Sequence, residues 1–143
     1  MADPTQSAKT PWHLWVVGVV SLLWNSVGAL DFTMTQSHSA TYLQGHTPEQ
    51  VAYIRGFPLW AVVVWGLGTW GGFLGSVVLL LRRNFAIKLF GASIVGAVLT
   101  NLYNYGLSDG MKVMQNGTSA VIFVIAVLLF IYARAMRKKG VLR

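Results

Sequence analysis

Four long stretches of the chain are almost free of charge: about Trp12 to Phe32, Phe57 to Leu81, Phe85 to Tyr105 and Ser119 to Met136. Each is close to the roughly 20 residues that a helix, rising about 1.5 Å per residue, needs to cross about 30 Å of hydrocarbon. None alternates with the period of two expected of a barrel strand, which would need only about 10 residues. The pattern predicts an all-α, integral membrane four-helix transmembrane bundle, a single transmembrane domain covering residues 1–143.

The polar intervals set the connections. Arg82-Arg83-Asn84 is short enough to make the second and third helices antiparallel neighbours. Residues 106–118 carry Gly106, Gly110, Asn116 and Gly117 and read as a turn-rich loop. The longest connection, 33–56, contains Thr47-Pro48-Glu49-Gln50, a helix start. Thr47 can cap, Pro48 suits the first helical position, and Gln50 can reach back to complete a capping box. A short helix through Val51 and Ile54 should follow, with a break near Arg55–Phe57 ahead of Pro58. With Tyr53 and Phe57 at headgroup level, this is expected to be an interfacial helix in the first outer loop.

Charge supplies the orientation. Nine cations fall on one side: Lys9, Arg82, Arg83, Lys88, Arg134, Arg137, Lys138, Lys139 and Arg143. Only Arg55 and Lys112 fall on the other. The excess marks the cytoplasmic side and puts both termini inside. Trp12, Trp15 and Tyr132 at the inner ends, and Tyr42, Trp60, Tyr103 and Tyr105 at the outer ends, read as interfacial belts. Val27-x-Ala29 has the small residues of a signal cleavage site. The apolar run is long for a signal core and carries Trp24 and Asn25, so the first helix is read as an uncleaved anchor.

Composition sharpens the class. Hydrophobic residues are 55% and charged residues 10%, against about 25% charged in a soluble domain, so a soluble sphere is excluded. The net charge of +7 would suggest nucleic acid in a soluble chain, but here it is what topology requires, and no nucleic-acid partner is expected. The absence of cysteine removes thiol catalysis and thiolate metal sites.

Small and polar residues inside the spans carry the remaining information. Gly66-Leu67-Gly68-Thr69-Trp70-Gly71 matches a dinucleotide fingerprint in letters only, because it lies in mid-span without a preceding strand. Gly68 with Gly72, and Gly71 with Gly75, form small-x-x-x-small pairs that let helix backbones approach closely, with the partner helix expected in the same chain. Ser93, Ala97, Thr100 and Asn104 form a matching stripe on the third helix, and Gly18, Ser21, Asn25 and Gly28 one on the first. The fourth helix has none and is expected to lie outside the other three.

Asn25, Thr100, Asn101 and Asn104 are expected at similar depths in the outer half, with Asp31 just above and Arg55 as its ion-pair partner. Two readings apply: hydrogen bonds between helices, or a shallow ligand-binding pocket open to the outside. His38 and His46 share the outer loop with Asp31 and Glu49, but their spacing fits no metal-ligand motif, and neither metal nor cofactor is expected. No nucleophile triad or phosphate loop appears, so no enzyme is expected. Asn116-Gly117-Thr118 is a formal glycosylation acceptor better explained as a turn.

Leu22-Leu23-Trp24-Asn25 with Gly28, Asp31-Phe32-Thr33-Met34-Thr35-Gln36, Phe57-Pro58-Leu59-Trp60, and Gly71-Gly72-Phe73-Leu74-Gly75 leading to Leu79-Leu80-Leu81-Arg82-Arg83 resemble a group of small four-span bacterial inner-membrane proteins. Such proteins are often named sugar transporters. The resemblance implies a multi-pass protein of the bacterial inner (cytoplasmic) membrane and carries over no site residues. Size, short cytoplasmic segments and uncharged span interiors favour a non-enzymatic accessory or stabilising role. A transporter or channel for a small neutral, sugar-like solute, acting as an oligomer, is the alternative. Besides the lipid bilayer, the expected partner is another membrane protein or a second copy of the chain.

Overall fold

The computed structural model describes residues 8–114 and 118–143; Asn116 and Gly117 of the acceptor motif lie outside them. The described residues form helices joined by short turns, without a strand. In chain order the elements are α1 (Trp12–Gln36), α2 (Ala40–Leu43), α3 (Pro48–Arg55), α4 (Leu59–Leu80), α5 (Phe85–Leu102), a π-helical turn (Tyr103–Leu107), α6 (Gly110–Met114) and α7 (Thr118–Lys138). Four helical stretches, α1, α4, α5 with its π-turn, and α7, are long and apolar enough to cross a membrane. The protein has the make-up of a multi-pass membrane protein.

Local chemistry explains the boundaries. α1 runs four residues past the apolar block, for a length of 25 residues, or about 37 Å. Thr33 stays helical by returning its hydroxyl to the Ala29 carbonyl at 2.7 Å, and Thr35 is buried. α3 opens on the capping box read from the sequence: Thr47 Oγ1 accepts from the Gln50 amide, and Gln50 Oε1 accepts from the Thr47 amide. It stops at Arg55, and α4 starts after Pro58, so the chain breaks where the proline requires it.

Three helices end in the same way. The amide of His38 bonds to Thr35 and that of Ser39 to Met34; Arg82 bonds to Leu79 and Arg83 to Val78; Gly140 bonds to Arg137 and Val141 to Met136. Each pair is a Schellman motif whose pivot residue is left-handed: φ is 52° at His38, 55° at Arg82 and 71° at Gly140. The last pivot turns the tail back, so Val141 and Leu142 are buried among Leu14, Leu79, Phe90 and Met136. Arg143 then pairs by backbone with Arg82 and Asn84.

The spans pack in the order α1, α4, α5, α7, with the α4–α5 seam the most extensive. α7, the fourth span, lies at the edge of the row against α5 as expected, and α1 lies at the other edge against α4. α7 needs no glycine to pack: Ala126, Leu129, Ala133 and Met136 form its buried stripe. At the end that carries the described termini, all four spans converge on one core. There His13 on α1 meets the Tyr132 hydroxyl on α7 at 2.5 Å. The opposite end, the loop end, carries α2, α3 and α6.

Candidate functional site

The sequence predicts one cluster of in-span polar residues, but the structure distributes them over four places. The first is the seam of the bundle. Ser93 Oγ on α5 donates to the Gly68 carbonyl on α4 at 2.6 Å. A Cβ on Gly96 would lie 2.5 Å from the Gly68 nitrogen and 2.6 Å from the Val64 oxygen, so the two backbones touch. Gly71 faces Ser93 and the Leu89 carbonyl, and Gly75 faces the Phe90 ring. Gly72 is pressed between Asn25 of α1 and Ser93 of α5. The small faces of α4 thus lie against helices of the same chain. Asn25 Nδ2 donates to the Ser21 carbonyl at 2.8 Å and to Ser76 Oγ at 3.1 Å, tying α1 to α4.

Thr100 and Asn101 are turned onto their own helix. Thr100 Oγ1 donates to the Gly96 carbonyl at 2.7 Å, and Asn101 Nδ2 to the Ala97 carbonyl at 2.9 Å. The expected common depth is corrected here. Asn25 lies at the level of Ser93 through their shared neighbour Gly72, whereas Asn104 is eleven residues further along α5 and its π-turn, about 16 Å away at helical rise. The cause is the extension of α1 to Gln36, which sinks Asn25 deeper than the apolar block suggests.

Asn104 belongs to a third group, under α3. The Tyr53 hydroxyl donates to Asn104 Oδ1 at 2.8 Å and lies 2.6 Å from Ser108 Oγ, which donates to the Tyr103 carbonyl at 2.8 Å. Burial raises the Tyr53 phenol above its usual value, opposed by the Ser108 hydrogen bond. A Cβ on Gly110 would strike the Tyr53 hydroxyl and the Asn104 backbone, so α6 closes over this group. Rings surround it. Phe57 lies 4.9 Å from Tyr103, 5.2 Å from Tyr53 and 5.8 Å from Trp65, and Trp60 lies 5.4 Å from Tyr103. Phe32 of α1 joins through Trp65 at 5.1 Å. Trp60 and Tyr103, expected as belt positions, join Tyr53, Phe57, Trp65 and Phe32 in a packed knot that fastens α3 and the π-turn to α4 and α1.

The fourth group is at the end of α1. Asp31 is not paired with Arg55, as expected, but accepts a short hydrogen bond from the Tyr42 hydroxyl of α2. The fold of residues 37–43 delivers Tyr42 there, with Ser39 capping α2. That hydrogen bond first, then burial and the Asp31 charge, pushes the Tyr42 phenol up to about 12. Tyr42 also lies against the His46 ring at 6.0 Å. Among the described residues the one ion pair is Asp109 with Lys112 at 3.0 Å, on the surface, where it adds little stability. No three His, Asp or Glu side chains among them gather as a metal site.

The sequence places Tyr42 and Tyr53 at the outer interface without revealing their hydrogen bonds to Asp31 and Asn104, and gives no sign of the parts played by Ser108 and Gly96. Tyr53 and Asn104 are 51 residues apart, so no local spacing links them. Two open recesses lie at the basic end. One of about 260 Å³ is lined by Ile87, Arg134, Arg137 and Lys138. The other, of about 280 Å³, is lined by Leu81, Arg82, Arg83 and Arg143. Compared with protein-family models, curated proteins and solved structures, the chain matches none.

Proposed function

We propose that this chain is a non-enzymatic accessory protein of the bacterial inner membrane. It stabilises or assembles with another membrane protein through its lipid-facing helices. Both termini lie in the cytoplasm, and α3 rests in the outer interface. The observation that carries the reading is where the in-span polar groups spend their hydrogen bonds. Asn25, Ser93, Thr100 and Asn101 bond to a neighbouring helix or their own backbone. Asn25 and Ser93 serve cohesion between helices, Thr100 and Asn101 are satisfied within α5, and a solute path would need all four to line a common space. The resemblance to small four-span inner-membrane proteins supports the location, as does the Lys/Arg asymmetry. Large apolar side chains such as Val20, Leu23, Val27 and Leu30 on α1, and Val124, Leu128 and Ile131 on α7, are exposed and available to lipid or to a partner's helices.

Native mass spectrometry of the protein, extracted gently from its own membrane, tests the proposal. A stoichiometric foreign membrane subunit is the expected result. A homo-oligomer that carries a neutral solute and no other protein would overturn it in favour of transport.

A further inference from the structure

We infer that the recess between α5 and α7 is a binding site for the phosphate headgroup of an anionic glycerophospholipid. The inference rests on the membrane-spanning architecture and is independent of the accessory role. Arg134, Arg137 and Lys138 are spaced three and four apart on the last turns of α7, so they share a face. They line the recess of about 260 Å³ against Ile87, in the first turn of α5. The three acids among the described residues, Asp31, Glu49 and Asp109, belong to the loop end, and none pairs with these cations. The helix dipole at the end of α7 offers roughly half a negative charge against three positive ones. The recess is therefore cationic and short of an anion.

What lies beneath it is apolar. Gly91, one turn on from Ile87, admits the Phe130 ring, which lies 3.6 Å from where a Cβ would stand. The Arg134 guanidinium sits 5.8 Å from the centre of that ring, so the apolar seam between α5 and α7 borders the cations. An anionic head above an acyl chain has this distribution of polarity. A free phosphate would use only the rim. A zwitterionic head would bring an ammonium group to a place where no acidic side chain of the described residues pairs with the cations.

The test uses the full chain in a zwitterionic detergent. Phosphatidylglycerol, phosphatidylcholine or inorganic phosphate is titrated, with native mass spectrometry to count adducts and thermal unfolding to read stabilisation. Two charge-matched variants are compared: Arg134→Gln with Arg137→Gln, and Lys9→Gln with Lys139→Gln, both at the same end of the molecule. A cation near an anionic lipid contributes roughly a factor of five, so two contribute about 30-fold. The expected result is tight phosphatidylglycerol adducts, weakened about 30-fold in the first variant and nearly unchanged in the second. Equal weakening in both would reduce the effect to surface charge and overturn the site. Equal binding of phosphatidylcholine, or inorganic phosphate displacing the lipid at matched concentration, would overturn the lipid assignment. Unfolding without lipid must be the same in wild type and variants. If loss of the Phe130 contact lowers it, Arg137→Gln with Lys138→Gln replaces the first variant, and the same outcomes decide.

Discussion

Asn25 and Asn101 are the same residue type with different structural roles. Asn25 reaches across to Ser76 on α4, while Asn101 returns to a carbonyl one turn back on its own helix. Asn25→Leu should cost about 1–2 kcal/mol, the range for an interhelical hydrogen bond in a membrane. Asn101→Leu should cost less, within about 0.5 kcal/mol, because it removes no hydrogen bond to another helix. Thermal unfolding of both variants in detergent checks the ranking; equal losses would contradict it. Tyr42 gives a pH prediction. Its phenol rises from 10 to about 12 in the folded protein, chiefly because it donates to Asp31. A raised pKa means that the bond's stabilisation is fully present below the unfolded value and is lost as pH climbs through the folded one. Stability should therefore fall across about pH 10 to 12 more steeply in the wild type than in Tyr42→Phe. Parallel curves for the two proteins would show that the bond contributes nothing to folding.

Helix ends and seams obey different rules. The ends follow local chemistry: the Thr47–Gln50 box and the Pro58 start are readable residue by residue, and the structure contains both. The left-handed pivots are less legible, since only Gly140 is the residue type that favours that region. A Cβ there meets nothing nearer than 3.9 Å, so Gly140→Ala should cost about 1–2 kcal/mol through backbone strain alone. Seams depend on space. Gly28 has only Thr69 Cγ2 at 3.9 Å from a new Cβ, whereas Gly96 meets Gly68 backbone at 2.5 Å. Gly96→Ala should therefore destabilise by about 1–3 kcal/mol and Gly28→Ala by much less. Paired melting curves read the difference.

At the scale of the whole molecule, charge and apolar length agree with the assembled bundle. Arg82 near the α4–α5 turn donates to Thr10 ahead of α1 at 2.7 Å, and Arg143 pairs with that turn, so the cations counted on one side meet at one end. Orientation is open to a direct measurement because the chain has no cysteine. Gln44→Cys should react with a membrane-impermeant maleimide in intact cells, and Lys139→Cys only after permeabilisation. The reverse pattern would invert the proposed topology. The candidate polar site was legible only as a set of residue types. Asn25, Asp31, Thr100, Asn101 and Asn104 stand out in apolar surroundings, but the pairing of Asn25, Asp31 and Asn104 with Ser76, Tyr42 and Tyr53 is not legible there.

The number of spans, their approximate limits, the α3 cap and the break before Pro58 follow from the amino-acid order alone. Each depends on a run of hydrophobicity or on a hydrogen bond between residues three or four apart. The order of the helices, the depth of Asn25, the transfer of Asp31 from Arg55 to Tyr42 and the gathering of the loop-end aromatics were decided only by assembly. They depend on which faces meet and how closely, and in an apolar bundle many faces are hydrophobic enough to serve. Backbone contact at Gly68 and Gly96 selects among them, because dispersion and short hydrogen bonds in a membrane reward only the closest approach.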